Sequence, residues 1–69
     1  MREQELKGKI TRHKNEIKRI EKKAAYAYAN YKAGNKDQYG KAQYYYKMIE
    51  EEKKIYQYYL DMYMKGDYA

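Results

Sequence analysis

Apolar residues, with one histidine among them, recur in the first half of the chain at alternating spacings of four and three. The series is Leu6, Ile10, His13, Ile17, Ile20, Ala24, Ala27 and Tyr31. Such a 3.5-residue repeat is typical of the a and d positions of a helix that packs along another helix. The pattern predicts a first helix over about residues 3–33.

The segment AGNKDQ, residues 33–38, interrupts the repeat. Gly34 suits the left-handed backbone that often ends a helix. Asn35 and Gln38 have the spacing of a capping box at the start of the next helix. We therefore predict a turn at 34–36 and a second helix over about 36–65, ended by Gly66. A loop this short favours an all-α fold, an antiparallel two-helix hairpin.

The second helix has more apolar surface than one neighbouring helix can cover. One stripe, assigned to the contact with the first helix, contains Ala42, Tyr45, Tyr46, Ile49, Tyr56, Leu60, Tyr63 and Met64. A second, adjacent stripe contains Tyr44, Met48, Ile55, Tyr59 and Met62. Together the two stripes span about 200°, whereas about 100° is enough to face one core. The second stripe is therefore predicted to bind a partner.

Tyrosine supplies all the aromatic residues: there are twelve tyrosines, and phenylalanine and tryptophan are absent. A tyrosine ring offers a large contact area and a polar tip that tolerates water. Methionine, frequent in the same segment, adapts to irregular surfaces. Both residue types suit a docking surface that must stay soluble when unbound. The alternative is that the tyrosines fill a loose core with their hydroxyls at the surface.

The chain has 69 residues and no cysteine, which predicts one domain without disulfides. A core of this size rarely contributes more than about 3–5 kcal/mol unless a metal, a disulfide or oligomerisation adds to it. We therefore expect a homo-oligomer, a complex with a larger protein, or both. The expected homo-oligomer is a dimer that forms a four-helix bundle. No signal peptide and no apolar run of about 20 residues is visible, which predicts a cytoplasmic protein without a membrane partner.

The net charge of +6 is concentrated in the first helix, where residues 1–23 carry nine Lys and Arg against four acids. Lys14, Lys18 and Lys22 form one i,i+4 row, and Arg19 and Lys23 form another. Such a surface can bind an anionic partner such as nucleic acid. A solvated basic face explains the same residues equally well.

No catalytic motif, metal-ligand cluster, cofactor site or small-molecule site is apparent, so we expect a non-enzymatic protein. His13 is interpreted as a packed or hydrogen-bonded structural residue, and the run EEEKK at 50–54 as a solvated face. The leading hypothesis is a protein-binding module that docks its Tyr/Met-rich helical face. Its size, its amino-acid bias and the lack of a recognisable active site fit an inhibitor or regulator of the kind that phages encode. The alternative is a basic helical-hairpin dimer that binds nucleic acid.

Overall fold

The computed structural model describes residues 1–68, and they form two α-helices: α1 (Glu3–Lys32) and α2 (Gln38–Lys65). The molecule measures 51 × 14 × 13 Å. A helix of 30 residues is about 45 Å long, so the two helices must lie side by side along one rod. The predicted all-α hairpin is confirmed.

The end of α1 has the geometry that the sequence predicted. Gly34 has a positive φ of 109°. Its amide donates to the carbonyl of Tyr31, and the amide of Asn35 donates to the carbonyl of Asn30, both at 3.0 Å. This pair of bonds is the Schellman motif, which satisfies carbonyls that a helix end would otherwise leave unpaired. Glycine is required here because its missing Cβ allows the positive φ.

The end of α2 repeats the same motif. Gly66 has φ 70° and donates its amide to the carbonyl of Tyr63, while Asp67 donates to Met62 at 2.9 Å. Both helices are therefore ended by a glycine in a positive-φ conformation, as the sequence indicated for residues 34 and 66.

The start of α2 differs from the prediction. The helix begins at Gln38, two residues later than expected, and its N-cap Asp37 makes no side-chain capping bond. Instead, the amides of Gln38 and Tyr39 donate to the carbonyls of Asn35 and Lys36 at 3.1 and 3.2 Å. The capping box predicted at Asn35 does not form, because the turn itself supplies acceptors for these amides.

The core between the helices is small. Its buried residues are Leu6, Ile17, Ile20, Ala24, Ala27, Ala42 and Ile49. Three of the seven are alanines, and only Leu6 and Ile20 are large and almost fully buried. Half-buried Tyr45, Met48 and Tyr56 pack against the cluster formed by the isoleucines and Ala24. The small core leaves much of the apolar surface of α2 outside it.

The face that α2 presents to α1 is rotated from the predicted one. Tyr46 and Met64, assigned to the helix contact, are 41% and 74% exposed. Met48 packs against the core and Tyr59 stacks on a ring of α1, although the sequence placed both on the second stripe. The predicted division of α2 into two stripes was therefore wrong for these four residues.

Candidate binding surfaces

A contact between His13 and Glu52 joins the two helices on the rotated face of α2. His13 Nδ1 lies 2.7 Å from Glu52 Oε1, and the two side chains are 15% and 21% exposed. The Tyr59 ring stacks on the His13 ring at 5.6 Å, with an angle of 22° between the planes. The ammonium group of Lys9 lies 5.7 Å from the centre of the Tyr59 ring. These contacts draw the side of α2 that carries Glu52 and Tyr59 toward α1.

The five residues of the predicted second stripe have different environments. Tyr44 is 62% exposed and Ile55 is 39% exposed. Met62 is half-buried. Met48 and Tyr59 are half-buried and contact residues of the helix interface. Tyr44 and Ile55 thus form an exposed edge of the stripe, whereas Met48 and Tyr59 form an edge that contacts the helix interface.

The exposed edge contains Tyr58, which sequence reasoning missed. Tyr58 is 62% exposed, and its ring meets the Tyr59 ring edge-on at 5.4 Å. With Tyr58 included, one side of α2 carries a series spaced 4, 3, 4, 3 and 4, here named the α2 strip: Tyr44, Met48, Glu51, Ile55, Tyr58 and Met62. A 3.5-residue repeat would have revealed it, because a wheel drawn at 100° drifts by about 20° per heptad.

The opposite flank of α2 has fewer large side chains, and they are more widely spaced. Tyr39, Tyr46 and Met64 are 49%, 41% and 74% exposed. Exposed Lys53 and Gln57 lie between Tyr46 and Met64 along this flank. Single exposed apolar residues separated by polar ones are ordinary on a protein surface. The α2 strip is therefore the longer regular series of large side chains along the surface of this helix.

The basic residues singled out in the sequence are divided between two grooves. The middle groove, of about 360 Å³, is lined by Lys14, Ile17, Lys18, Lys53, Tyr56 and Gln57. The turn-end groove, of about 350 Å³, is lined by Lys22, Lys23, Tyr26, Ala27, Gln38, Lys41 and Tyr45. In each groove two lysines come from α1 and one from α2. The predicted row of Lys14, Lys18 and Lys22 does not line a single groove.

Arg19 already has a partner on its own helix. Its Nε donates to Glu16 Oε2 at 3.1 Å, and a second guanidinium nitrogen bonds the other carboxylate oxygen. The hydrogen bonds from Arg19 lower the pKa of Glu16, and Glu16 in turn raises the pKa of Arg19. Arg19 is therefore less available to an external anion than the lysines of the grooves.

Within residues 1–68, no group of three or more His, Asp or Glu side chains could hold a metal ion. In the same part of the chain, neither helix is long and apolar enough to cross a membrane. The candidate surfaces that the structure offers are the α2 strip and the two basic grooves.

The chain matches no protein-family model, and it has no match among curated proteins or among solved structures.

Proposed function

We propose that this protein is a non-enzymatic binding module that docks the α2 strip against a helix of another polypeptide. The observation that supports the proposal is the set of exposed side chains Tyr44, Ile55 and Tyr58 on one side of α2. Half-buried Met48 and Met62 extend this set at coiled-coil spacing. A strip with alternating spacings of three and four residues fits the side of a partner helix along several turns. Soluble monomers rarely leave an apolar surface of this length uncovered.

The small core gives a physical reason for docking. The buried core holds only two large side chains that are almost fully buried, Leu6 and Ile20. Burying a large apolar side chain contributes about 1.5–3 kcal/mol relative to full exposure. Tyr44, Ile55 and Tyr58 are each between 39% and 62% exposed, so covering them would add roughly half of that contribution for each residue.

We propose a second copy of the chain as the occupant, bound with its α2 antiparallel. In a two-fold arrangement centred near residue 53, Tyr44 lies opposite Met62 of the other copy, and Met48 lies opposite Tyr58. Large apolar residues then meet each other in these two pairs, and Glu51 lies opposite Ile55 near the axis. The result is a four-helix bundle with the two α2 helices at its centre and the basic α1 helices outside.

Charge complementarity favours this register. Glu51 is the single charged residue within the α2 strip, and Lys54 lies three residues beyond it. In the antiparallel arrangement, Glu51 of each copy lies beside Lys54 and Ile55 of the other. The two Lys54 ammonium groups near the two-fold axis therefore lie next to the two Glu51 carboxylates. Each Glu51 charge inside the strip is compensated by a lysine.

Sedimentation velocity over a range of concentrations tests docking of the strip. The wild-type chain is expected to form a dimer, and Ile55→Asp or Tyr58→Asp a monomer, because each variant buries a charge at the centre of the interface. Tyr46→Asp is the matched control, since Tyr46 is exposed to the same degree as Ile55 but lies on the other flank of α2. Equal dissociation by Tyr46→Asp would contradict the assignment of the interface.

A charge exchange tests the register. Glu51→Lys and Lys54→Glu should each weaken the dimer, and the double variant should restore it, because each site faces the other across the two-fold axis. Glu50→Lys, on the polar side of α2, should leave the dimer unchanged. A double variant no better than the single ones would exclude the antiparallel register.

Cross-linking gives an independent test, since the wild-type chain contains no cysteine. A mixture of Tyr44→Cys and Met62→Cys should oxidise to a disulfide-linked heterodimer. Tyr44→Cys alone should not, because the two copies of residue 44 would be about 27 Å apart at 1.5 Å per residue. Rapid cross-linking of Tyr44→Cys alone would indicate parallel helices instead.

A wild-type chain that remains a monomer at all concentrations would exclude self-association and leave a larger protein as the occupant. The protein would then act as an inhibitor or regulator of the kind that phages encode, by covering a helical surface of its target. We propose the cytoplasm as its location, because a chain without cysteine is compatible with a reducing compartment.

A further inference from the structure

The turn-end groove combines positive charge with aromatic surface, and it shares no residue with the α2 strip. Three lysines line it, Lys22 and Lys23 from α1 and Lys41 from α2. No carboxylate contributes to its lining, although Asp37 lies next to Gln38 in the sequence. The hairpin thus brings together three cations that the sequence separates by up to nineteen positions.

Within the described part of the chain, none of the three lysines forms an ion pair with a carboxylate. Among residues 1–68 the ion pairs are Lys7 with Glu3, His13 with Glu52 and Arg19 with Glu16. Lys23 does help to lower the pKa of Glu16, but that carboxylate is bonded by Arg19. Three like charges around one groove repel each other, and an anion bound between them would relieve that repulsion.

Tyrosine provides the second feature of the groove. Tyr26, at its edge, is 73% exposed, so most of its ring is open to a ligand. Half-buried Tyr45 packs against the core, and its ring lies 6.0 Å from that of Tyr44. An exposed aromatic ring beside lysines is the combination that proteins use to hold single-stranded nucleic acid, by stacking a base and contacting its phosphates.

The middle groove provides an internal comparison. It also contains three lysines and no carboxylate, but its one tyrosine, Tyr56, is half-buried and packs against the core. The two grooves therefore have the same charge and nearly the same volume, about 350 and 360 Å³. They differ in the exposed ring of Tyr26.

We infer that the turn-end groove binds single-stranded nucleic acid, with a base stacked on Tyr26 and the adjoining phosphates held by Lys22, Lys23 and Lys41. A volume of about 350 Å³ lies at the low end for small-ligand pockets, which suits one nucleotide unit of a longer strand. The bases of a duplex are paired and stacked on each other, so a duplex offers no base to Tyr26. The groove therefore selects single strands.

Fluorescence anisotropy with labelled single-stranded DNA and RNA oligonucleotides, measured at several salt concentrations, tests this assignment. The variant with Lys22→Gln, Lys23→Gln and Lys41→Gln should bind at least tenfold more weakly. The slope of log K against log salt should become shallower by about two, since each single-strand phosphate contact contributes about 0.7. The matched control carries Lys14→Gln, Lys18→Gln and Lys53→Gln, which removes the same charge from the middle groove.

The control variant should lose less than about threefold in affinity, because only general attraction to the backbone is reduced. Equal losses in the two variants would overturn the proposal and indicate binding by net charge alone. Absence of binding by the wild-type chain at low salt would also overturn it. Circular dichroism should show unchanged helix content, since all six lysines are exposed.

Substitution of Tyr26 separates stacking from charge. Tyr26→Ala should weaken binding to the single strand about fivefold or more, the low end of the range for one stacked base. Tyr26→Phe keeps the ring and should bind as the wild type does. An equal loss in both variants, or equal affinity of the wild type for single-stranded and duplex DNA, would contradict a stacked base.

Competition with inorganic phosphate distinguishes the strand from a free anion. Phosphate at the same ionic strength as added chloride should compete no better than chloride, because it has no base to stack. Displacement of the oligonucleotide by phosphate well beyond the chloride effect would overturn the inference and identify a simple anion site. Because Lys22, Lys23, Lys41 and Tyr26 lie outside the α2 strip, these results are independent of whether the strip forms a dimer.

Discussion

The two helices differ in how they divide their apolar residues between core and surface. α1 buries five residues, and two tyrosines near the turn are its exposed large apolar side chains. This is the pattern of an ordinary amphipathic helix, whose single apolar face is buried against one core. α2 buries two residues and exposes six large apolar side chains, including Tyr44, Ile55 and Tyr58. α2 therefore carries more large apolar side chains than its contact with α1 buries.

The largest effect should come from comparing the same substitution in the two helices. Ile20 is 1% exposed and Ile55 is 39% exposed. Ile20→Ala should lower the free energy of unfolding by about 2–5 kcal/mol, because it leaves a cavity in the core. Urea unfolding at low protein concentration should show a much smaller loss for Ile55→Ala. At high concentration the cost of Ile55→Ala should increase, since the proposed dimer would bury this residue.

If the loss for Ile55→Ala is independent of concentration, the α2 strip contributes only to the single hairpin. If it equals the loss for Ile20→Ala under dilute conditions, the contrast between the helices is wrong. A helix-content measurement on each variant would show whether the hairpin itself still forms.

The glycines of the turn and of α2 should respond in opposite directions. Gly34→Ala should lower the free energy of unfolding by about 1–2 kcal/mol, because a Cβ is strained at a φ of 109°. Gly40 lies inside α2 with open space where a Cβ would be placed. Gly40→Ala should therefore raise stability by about 0.5–1 kcal/mol. Thermal unfolding of the two variants measures both effects, and a stabilising Gly34→Ala would contradict the Schellman motif.

The polar contact between the helices should have an intermediate effect. Glu52→Gln replaces a charged acceptor of His13 with a neutral amide, and it should lower the free energy of unfolding by about 1 kcal/mol. Glu50→Gln, an exposed residue two positions away, should change it little. If the two variants are alike in urea unfolding, the contact with His13 contributes nothing measurable to the free energy of unfolding.

The smallest effect on stability is expected at the exposed pair of Glu16 and Arg19. The folded-state pKa of Glu16 is lowered from its ordinary value of 4.5, first by the hydrogen bonds from Arg19. The pair therefore contributes above that ordinary value, and its contribution is lost as the pH falls through the folded-state pKa. Arg19→Gln should raise the pKa of Glu16, as measured by NMR titration, while unfolding near neutral pH is almost unchanged. An unaltered titration of Glu16 would show that the pair does not persist in solution.

Local features of the chain were predictable because they depend on short stretches of sequence. The 3.5-residue repeat of α1 and the glycines at 34 and 66 predicted the helices and their ends. The capping box at Asn35 was wrong, because backbone carbonyls in the turn satisfied the first amides of α2 in place of a side chain. The spacing of a capping box shows which side chains are able to cap a helix. Whether the cap forms depends on whether backbone carbonyls of the turn already accept hydrogen bonds from the same amides.

The candidate surfaces were predictable only in part. The sequence showed that α2 has an apolar excess, and it named Tyr44 and Ile55, which are exposed. It misplaced Met48 and Tyr59 and missed Tyr58, since a wheel fixed at 100° does not follow helices that pack at a 3.5-residue repeat. It also grouped Lys14 with Lys22, which line different grooves.

The sequence by itself determined that the chain forms two helices joined by a glycine-containing turn, and that its second helix has more apolar residues than one neighbour can bury. Periodicity and backbone preference are properties of neighbouring residues, so no partner helix is needed to specify them. The tertiary structure decided which side of α2 faces α1, because this choice involves contacts between residues distant in the sequence, such as those of His13 with Glu52 and Tyr59 across the hairpin. It also decided that Lys41 joins Lys22 and Lys23 in one groove, since only the packing of the two helices brings residues so distant in sequence together.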